Sequence, residues 1–281
     1  MSDAHAVAPA RSYLFVPGNR PDRFDKALAS GADVVILDLE DAVAPADKPA
    51  ARESIRAWLR TAAGRVALRV NAASTEWFEA DLALCGLPGV MAVLLPKAER
   101  VEDIARTAAA LTTGAAVIPI IETAIGISRA QQLAAASSVQ RLAFGTLDFA
   151  VDLGLGSDDQ GAQEELSSFR SQLVLVSRLA QLRPPIDGVT TALDDAGRLE
   201  ADVRRARRFG FGAKLCIHPR QIEAVHRGFA PTPGERDWAE RVLAAIARSG
   251  GAAVQVDGRM VDRPVELQAE AIIAAAARSA R

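Results

Sequence analysis

The chain has 281 residues, of which 49% are hydrophobic and 24% are charged, and its formal net charge is −2 at pH 7. This composition provides enough apolar surface for a large core, excludes a disordered protein, and lacks the basic excess of nucleic-acid-binding proteins. Cys85 and Cys216 are its two cysteines, and their spacing excludes a disulfide framework or a zinc cluster. No run approaches the roughly 20 apolar residues of a membrane span, and residues 1–12 lack the apolar core of a signal peptide, so we expect a cytoplasmic protein without a membrane partner.

Apolar, β-branched runs of strand length recur along the whole chain. They predict strands at residues 13–18, 33–41, 66–72, 90–97, 117–123, 142–148, 185–191 and 214–219. Stretches with helical periodicity lie between them, at residues 22–30, 47–63, 100–113 and 168–182. Apolar strands that alternate with helices are typical of a parallel sheet covered on both faces. The pattern predicts an α/β fold, either a closed (β/α)8 TIM barrel or an open doubly wound sheet.

We favour the barrel because polar residues recur at the carboxyl end of nearly every predicted strand. In a (β/α)8 barrel these ends all open into one mouth, where catalytic residues converge. The side chains concerned are Asn19, Arg20, Asp38, Glu40, Asp41, Arg69, Asn71, Lys97, Glu122, Asp148, Thr190 and Thr191.

The character of the sequence changes after the eighth predicted unit, where residues 228–238 are rich in proline and glycine and are typical of a linker. We therefore expect a catalytic barrel at residues 1–228 and a C-terminal extension at residues 229–281. The extension contains a predicted helix at 235–248, a strand-like run at 252–262 and a helix at 265–280. We expect it to have no core of its own, and therefore to pack on the barrel, lie over the mouth or reach a neighbouring subunit.

Glu122 lies in the otherwise apolar run VIPIIETAIGI. A buried carboxylate without a partner costs several kcal/mol or takes up a proton, so a charge in this position needs a partner. Asp148 ends the next predicted strand, and two carboxylates that approach closely share a proton or a cation. Oxygen ligands without His or Cys favour Mg²⁺, with Mn²⁺ as an alternative. The competing interpretation is that each carboxylate is the N-cap of the helix that follows it.

Arg69 is a second charge within an apolar strand, and its guanidinium suits a substrate carboxylate or a developing enolate oxygen. A structural ion pair with the acidic run LDLED is the alternative, and the two roles are compatible. Asp38, Glu40 and Asp41 in that run are too many for direct metal ligation, so we expect them to orient metal-bound water or Arg69. Lys97 is expected to form an ion pair rather than a Schiff base, because an acidic site keeps a lysine charged.

Other polar residues give weaker signals. His218 follows the last predicted strand and is interpreted either as an acid-base group or as a hydrogen-bonded structural imidazole. His226 is expected on an exposed helix face, and the basic run at residues 204–208 is expected to be a solvated helix face rather than a phosphate site. None of them changes the prediction of a carboxylate-based site.

Several longer motifs occur in one order along nearly the whole chain. They are LFVPGNRPDRFDKA, DVVILDLEDAVAPADKPAAR, RVNA, LLPKAE, PIIETAIGI, LAFGTLD, CIHPRQI and GRMVDRPV. Together they resemble the citrate lyase β-subunit-like (CitE-like) branch of the HpcH/HpaI aldolase superfamily. The resemblance implies a TIM barrel with a C-terminal helical lid, a homotrimeric assembly, bound Mg²⁺, and cleavage or formation of a carbon–carbon bond next to a thioester.

The resemblance also implies roles for four residues. Glu122 in PIIET and Asp148 in GTLD match the metal ligands, and Arg69 in RVNA matches the substrate-binding arginine, so Arg69 and Glu122 are expected to contact the substrate. Asp262 in GRMVDRPV matches an aspartate on a lid that closes over an adjacent subunit in relatives. Spacing alone favours a helix N-cap for Asp262, so its expected role in catalysis, proton exchange with the acetyl-like carbon, depends on the resemblance.

Four functions are compatible with these features. The first is a stand-alone lyase for malyl-, citramalyl- or citryl-CoA, and the second is a citrate lyase β subunit whose partner is an acyl carrier protein within a complex. A free 2-oxoacid aldolase does not need the lid motif, and a non-catalytic barrel predicts loss of at least one of the four residues, all of which are present. We therefore prefer the lyase acting on a small acyl-CoA substrate.

Overall fold

The computed structural model describes residues 10–61, 64–156, 164–249 and 254–279. These residues form two compact units, one that ends at His226 and one that starts at Arg227. Residues 1–9, the first part of the predicted strand at 252–262 and the end of the predicted helix at 265–280 lie outside the described ranges. None of the described helices has the length and apolar character that crossing a bilayer requires.

Eight parallel strands close into a barrel in the first unit. They are β1 (Ser12–Pro17), β2 (Val34–Asp38), β3 (Val66–Arg69), β4 (Val90–Leu95), β5 (Ala116–Ile121), β6 (Ala143–Phe144), β7 (Ile186–Asp187) and β8 (Ala213–Cys216). Strands pair in chain order, and Ser12 in β1 pairs with Lys214 in β8 to close the ring. The prediction of a (β/α)8 barrel is confirmed, and the open sheet is wrong.

Helices connect and surround the strands. They are α1 (Phe24–Leu28), α2 (Lys48–Leu59), α3 (Phe78–Cys85), α4 (Val101–Ala109), α5 (Ala124–Ser128), α6 (Ala130–Ala134), α7 (Thr146–Asp152), α8 (Ser167–Leu179), α9 (Ala196–Phe209) and α10 (Ile222–Phe229). The four predicted helices correspond to α1, α2, α4 and α8. The residue at which the first unit ends, His226, lies within α10.

Alternation along each strand separates the barrel interior from the layer under the helices. Ile36 of β2 belongs to the apolar interior cluster, and the next inward position on that strand is Asp38. In the same way Ile120 of β5 is followed by Glu122, and β3 ends on Arg69. The charged residues therefore continue the inward-facing rows one step beyond the apolar layer, at the mouth of the barrel.

Strand β6 is shorter than the run predicted at 142–148, and Asp148 lies in the first turn of α7. Gly145 separates the two elements. A Cβ at this position would collide with the side chain of Glu122, so the close approach requires glycine. The expectation that Asp148 ends the sixth strand is wrong, because the strand stops where this contact forms.

The second unit consists of α11 (Pro233–Ser249), an antiparallel hairpin of β9 (Val254–Val256) and β10 (Arg259–Val261), and α12 (Arg263–Ser279). Asp257 and Gly258 form the hairpin turn, and both have the positive φ that tight two-residue turns favour. The expectation that the extension has no core is wrong, because a small apolar core lies between these elements. Its fully buried members are Ala239, Val242, Val261 and Ala269.

Candidate active site

A cavity of about 390 Å³ opens at the mouth of the barrel. Much of its wall is apolar, with Phe15, Ile120, Phe144 and Leu215 among the lining residues. Its charged lining residues are Asp38, Asp41, Arg69, Glu122 and Asp148. Glu40 and Lys97 line a second cavity of about 350 Å³, which shares Asp41 with the first. The fold thus brings every candidate site residue of the barrel to one end of it.

Glu122 is 3% exposed and directly follows β5. Its Oε1 accepts a hydrogen bond of 2.7 Å from the backbone N–H of Lys97. Burial raises the pKa of Glu122 to about 8, and the neighbouring carboxylates of Glu40 and Asp148 act in the same direction. A carboxylate in this environment takes up a proton or a cation at neutral pH.

Neither Glu122 nor Asp148 is a helix N-cap. Thr123 caps α5, because its Oγ1 accepts a hydrogen bond of 3.0 Å from the Gly126 N–H, and Gly145 occupies the N-cap position of α7. The interpretation of the two carboxylates as caps is therefore wrong. Both border the same cavity instead.

The two carboxylates fit a hard divalent cation. Their charges interact, since Asp148 contributes to the raised pKa of Glu122, and both offer oxygen atoms to the cavity. In the described parts of the chain, no group of three or more His, Cys, Asp and Glu side chains is arranged as a complete metal site. Two carboxylates with the other positions left to water or substrate is a common arrangement for Mg²⁺.

Arg69 is held by carboxylates and by an aromatic ring. Its Nε and Nη2 donate to the two oxygens of Asp38 at 2.7 and 2.6 Å, and its Nη1 lies 2.9 Å from Glu40 and 3.5 Å from Asp41. The guanidinium lies 4.6 Å from the centre of the Phe15 ring. Burial acts to lower the pKa of Arg69, but the surrounding carboxylates outweigh it and raise that pKa. The predicted ion pair with the LDLED run is present, and the charged arginine still borders the cavity.

Lys97 links Glu40 to Glu122. Its Nζ donates to Glu40 Oε1 at 2.9 Å, so the predicted ion pair is present. Burial acts to lower the pKa of Lys97, but the hydrogen bond to Glu40 and the charges of the neighbouring carboxylates together outweigh it and raise that pKa, which keeps the amine protonated and disfavours a Schiff base. Its φ of 47° lies in the left-handed region that few non-glycine residues adopt, and in this conformation its N–H reaches the Glu122 carboxylate.

Lys48 belongs to this region although the sequence pattern did not single it out. It is the first residue of α2, is 3% exposed, and hydrogen-bonds the main chain between Asp38 and Asp41. Periodicity identified it as the start of a helix and nothing more. One signal was available, because a lysine in the first turn opposes the helix dipole and needs a specific partner there.

Asp262 lies in the second unit, directly before α12, and is exposed. Its Oδ1 lies 3.4 Å from the Val265 N–H and its carbonyl accepts a hydrogen bond of 3.0 Å from the Glu266 N–H. The capping position expected from spacing is therefore occupied by Asp262. Its role in catalysis remains a prediction.

The two histidines differ from each other. His218 Nδ1 accepts a hydrogen bond of 3.1 Å from the Arg220 N–H, which agrees with a structural imidazole. His226 is partly buried with its Nε2 3.1 Å from Asp33 Oδ2, so the expectation of an exposed residue is wrong. The basic run at 204–208 lies on α9. Within it, Arg204 forms an ion pair with Glu200 and Arg205 forms one with Asp202, each about one turn earlier on the helix.

Comparison with known proteins places this chain in a family. Residues 11–219 match the model of the HpcH/HpaI aldolase/citrate lyase family. A citrate lyase subunit beta-like protein of Deinococcus radiodurans is 36% identical over 276 residues, covering 94% of this chain and 96% of the relative. A (3S)-malyl-CoA thioesterase of Cereibacter sphaeroides is 35% identical over 268 residues, covering 92% of each.

A solved structure is also similar. The CitE protein of Mycobacterium tuberculosis, crystallised with magnesium, acetoacetate and coenzyme A, aligns with a TM-score of 0.85 and 36% identity, covering 96% of this chain and 99% of that one. The fold, the match of the family model and the identity to these relatives agree. The chain belongs to the HpcH/HpaI aldolase/citrate lyase family.

Proposed function

We propose that the protein is a Mg²⁺-dependent carbon–carbon lyase that cleaves or forms a β-hydroxyacyl-CoA thioester such as malyl-, citramalyl- or citryl-CoA. One observation carries the proposal: a charged arginine and two interacting carboxylates border a single cavity at the mouth of the barrel. Membership of the family supports it, as does a relative crystallised with magnesium, acetoacetate and coenzyme A.

Glu122 and Asp148 are the residues that would hold the metal, Mg²⁺ or alternatively Mn²⁺. When bound, the ion supplies Lewis acidity toward the hydroxyl oxygen of the substrate and its neighbouring carboxylate. The backbone N–H of Lys97 fixes one oxygen of Glu122, which leaves the other oxygen for the cation. Gly145 leaves the space that the Glu122 carboxylate occupies.

Arg69 would stabilise the charge that develops on the thioester. In the retro-Claisen direction the hydroxyl group loses its proton and its carbon becomes a carbonyl, while the bond between the α and β carbons breaks and its electron pair forms a thioester enolate. The enolate carbon then takes up one proton, so the overall cleavage neither gains nor loses a proton. A guanidinium that stays charged and borders the cavity opposes the enolate charge. Asp38 and Glu40 hold it in one orientation, so little reorganisation accompanies the reaction.

Asp262 would supply the proton to the enolate carbon and remove it in the reverse direction. Its exposed carboxylate lies on a unit with a core of its own, which suits a lid for residues 229–281 over the barrel of residues 1–228. We extend the proposal to a homotrimer in the cytoplasm, in which the lid covers the site of the same subunit or a neighbouring one. An acyl carrier protein in place of CoA is the alternative that the substrate test below separates.

A panel of acyl-CoA esters incubated with the purified protein tests the proposal. Malyl-CoA should give glyoxylate and acetyl-CoA, and EDTA should abolish the reaction until Mg²⁺ is restored. Activity that is indifferent to EDTA contradicts the metal assignment. Activity that appears only on an acyl carrier protein favours a citrate lyase subunit.

Hydrolysis of the thioester is a second candidate, because a relative named (3S)-malyl-CoA thioesterase is 35% identical along most of the chain. The products separate the two reactions. Hydrolysis releases malate and free CoA, whereas the lyase reaction releases glyoxylate and leaves the acetyl group on CoA. Trapping glyoxylate with phenylhydrazine while measuring free thiol in the same sample decides between them.

A further inference from the structure

Lys48 has an unusually complete set of hydrogen bonds for a buried lysine. Its Nζ donates to the carbonyl oxygens of Leu39 and Glu40 at 2.7 and 2.9 Å and to Asn71 Oδ1 at 2.7 Å. These neutral oxygens use all three of its N–H groups. The ammonium also lies 4.8 Å from the centre of the Trp77 ring.

The two carbonyl groups belong to the short segment that carries the acids around Arg69. Leu39 and Glu40 lie between Asp38 and Asp41. Lys48 therefore holds the main chain that carries the carboxylates of Asp38, Glu40 and Asp41. The N–H groups of Leu39 and Glu40 are also hydrogen-bonded. The Leu39 N–H donates to the Arg69 carbonyl at 2.9 Å, and the Glu40 N–H donates to Asp38 Oδ1 at 2.9 Å.

Asn71 connects Lys48 to a second buried layer. Its Nδ2 donates to the Leu39 carbonyl at 2.9 Å and to Asp81 Oδ2 at 2.6 Å, and its own N–H donates to the same Asp81 oxygen at 2.8 Å. Asp81 Oδ1 in turn accepts from Arg52 Nε at 2.7 Å. The network therefore ties the end of β2 to helices α2 and α3.

The charge of Lys48 is costly where it lies. Burial lowers the pKa of Lys48, against the opposing effect of carboxylates that include Asp81 and Asp38. An apolar side chain of similar length would fill the space without that cost. The feature that only the ammonium provides is three directed hydrogen bonds, and two of them end on the Asp38–Asp41 segment.

We propose that Lys48 is a positioning residue for Arg69. It fixes the main chain at Leu39 and Glu40, so that the carboxylates of Asp38 and Glu40 hold the guanidinium at the cavity in one orientation. The effect on turnover rests on the function proposed above, whereas the effect on the geometry of Arg69 does not.

Arg141 provides a matched control. It is a fully buried cation that also serves main-chain carbonyls, with Nε donating to Pro184 at 2.8 Å and Nη1 to Ala10 at 2.9 Å. It precedes β6, at the opposite end of the barrel from the cavity. Removing either cation leaves buried carbonyls without a donor, so both variants should lose stability.

The test compares Lys48→Met with Arg141→Met in the full chain. For Lys48→Met we expect kcat to fall about 10- to 100-fold with KM within about threefold of wild type, as for residues that orient catalytic groups. Mg²⁺ affinity measured by calorimetry should change less than about twofold, because Glu122 and Asp148 are untouched. Arg141→Met should keep kcat within about twofold. Equal kcat in wild type and Lys48→Met, or equal losses in the two variants, overturns the proposal.

A second readout does not need turnover. The Arg69 Nε–H, which donates to Asp38, should give a distinct ¹H–¹⁵N signal that Arg69→Lys removes. Lys48→Met should shift or broaden this signal and Arg141→Met should not. If no acyl-CoA is cleaved by any form but this difference appears, the proposed function fails while the positioning role stands. An unchanged Arg69 signal in Lys48→Met contradicts the positioning role whatever the activity.

If Lys48→Met does not fold, Lys48→Ala allows chemical rescue, because Lys48 borders the cavity of about 350 Å³. Added n-propylammonium should raise turnover per folded molecule at least about fivefold, and n-propanol, the neutral control, should not. A gain in folded fraction with no change in turnover per folded molecule shows a purely structural role and overturns the proposal.

Discussion

The two ends of the barrel both contain buried charges, but the groups around them differ. At the end where the strands begin, Arg141 is surrounded by carbonyl oxygens and the Tyr13 hydroxyl, all neutral partners. At the mouth, Arg69 is met by carboxylates, and Glu122 has a pKa raised to about 8 by burial and by its acidic neighbours. At the first end the buried cation has neutral partners, whereas at the mouth the charged groups interact with one another and border a cavity. This is the division between stability and function that barrel enzymes generally show.

The strongest test of this difference between the two ends is to neutralise one carboxylate at each end. Glu122→Gln should reduce turnover about a thousandfold or more, because it removes one of two proposed metal ligands. Asp33→Asn is the counterpart, since Asp33 accepts a hydrogen bond of 2.7 Å from the Arg11 N–H where the strands begin. It should lower the free energy of unfolding by about 1–3 kcal/mol and leave turnover nearly unchanged. Steady-state kinetics and urea titration of both variants check this, and an active Glu122→Gln contradicts it.

The next largest effect is expected when arginine is replaced by lysine at each end. Arg69→Lys keeps the charge but loses the paired contacts to Asp38, so kcat should fall about 100-fold. Mg²⁺ affinity should stay within about twofold of wild type. Arg141→Lys should affect stability and spare kcat. The comparison fails if the two substitutions reduce kcat equally.

A smaller effect is expected at Asp262, in the second unit. Asp262→Asn should reduce turnover about 10- to 100-fold by removing the proton donor. Asparagine is as good an N-cap as aspartate, so the free energy of unfolding should hardly change. Parallel measurement of kcat and thermal unfolding separates the two roles. Unchanged turnover would leave Asp262 with the capping role alone.

The last prediction concerns stability rather than turnover, and it follows from the raised pKa of Glu122. The folded state binds this proton more tightly than the unfolded state, in which the carboxyl has its ordinary pKa of about 4.5. The stabilisation is fully present below pH 4.5 and is lost as the pH rises through 8, by about 5 kcal/mol in all in the metal-free protein.

The free energy of unfolding of Glu122→Gln should lack this component of the pH dependence. Urea unfolding of the variant and of wild type from pH 5 to 8 measures the difference. Added Mg²⁺ should stabilise the wild-type protein most strongly at the upper end of that range, because the cation then replaces the proton on Glu122. Parallel pH profiles of the two proteins would show that Glu122 is already ionised at pH 5.

Sequence predicted the barrel and most of its mouth because both depend on local patterns. Apolar runs fix the strands, and a charge at a strand end marks the mouth, which is how Glu122 and Arg69 were identified. Asp148 was assigned to a strand because LAFGTLD was read as one run across Gly145, whereas the strand ends at Phe144 and Gly145 packs closely on Glu122. That contact joins two strands and has no local signature.

Lys48 is a second residue whose environment depends on contacts between distant parts of the chain, which the local sequence does not reveal. Its burial depends on Asn71 and Trp77, which reach it from the segment between β3 and α3. Seen along the chain it is one of the charged residues of an amphipathic helix. The core of the second unit was missed for a related reason, because its few buried residues come from α11, β10 and α12 together and no single element looks apolar enough.

The placement of Asp38 and Glu122 on inward-facing rows also affects how the barrel folds. Moving β5 by one residue against its neighbours would place Ile121 at the mouth and drive the Glu122 carboxylate into the layer beneath the helices. Such a barrel could still close, but it would hold an unpaired charge in an apolar layer. The residues proposed to carry the chemistry therefore also penalise misaligned strands, and specific activity should report how many molecules have folded with the correct alignment.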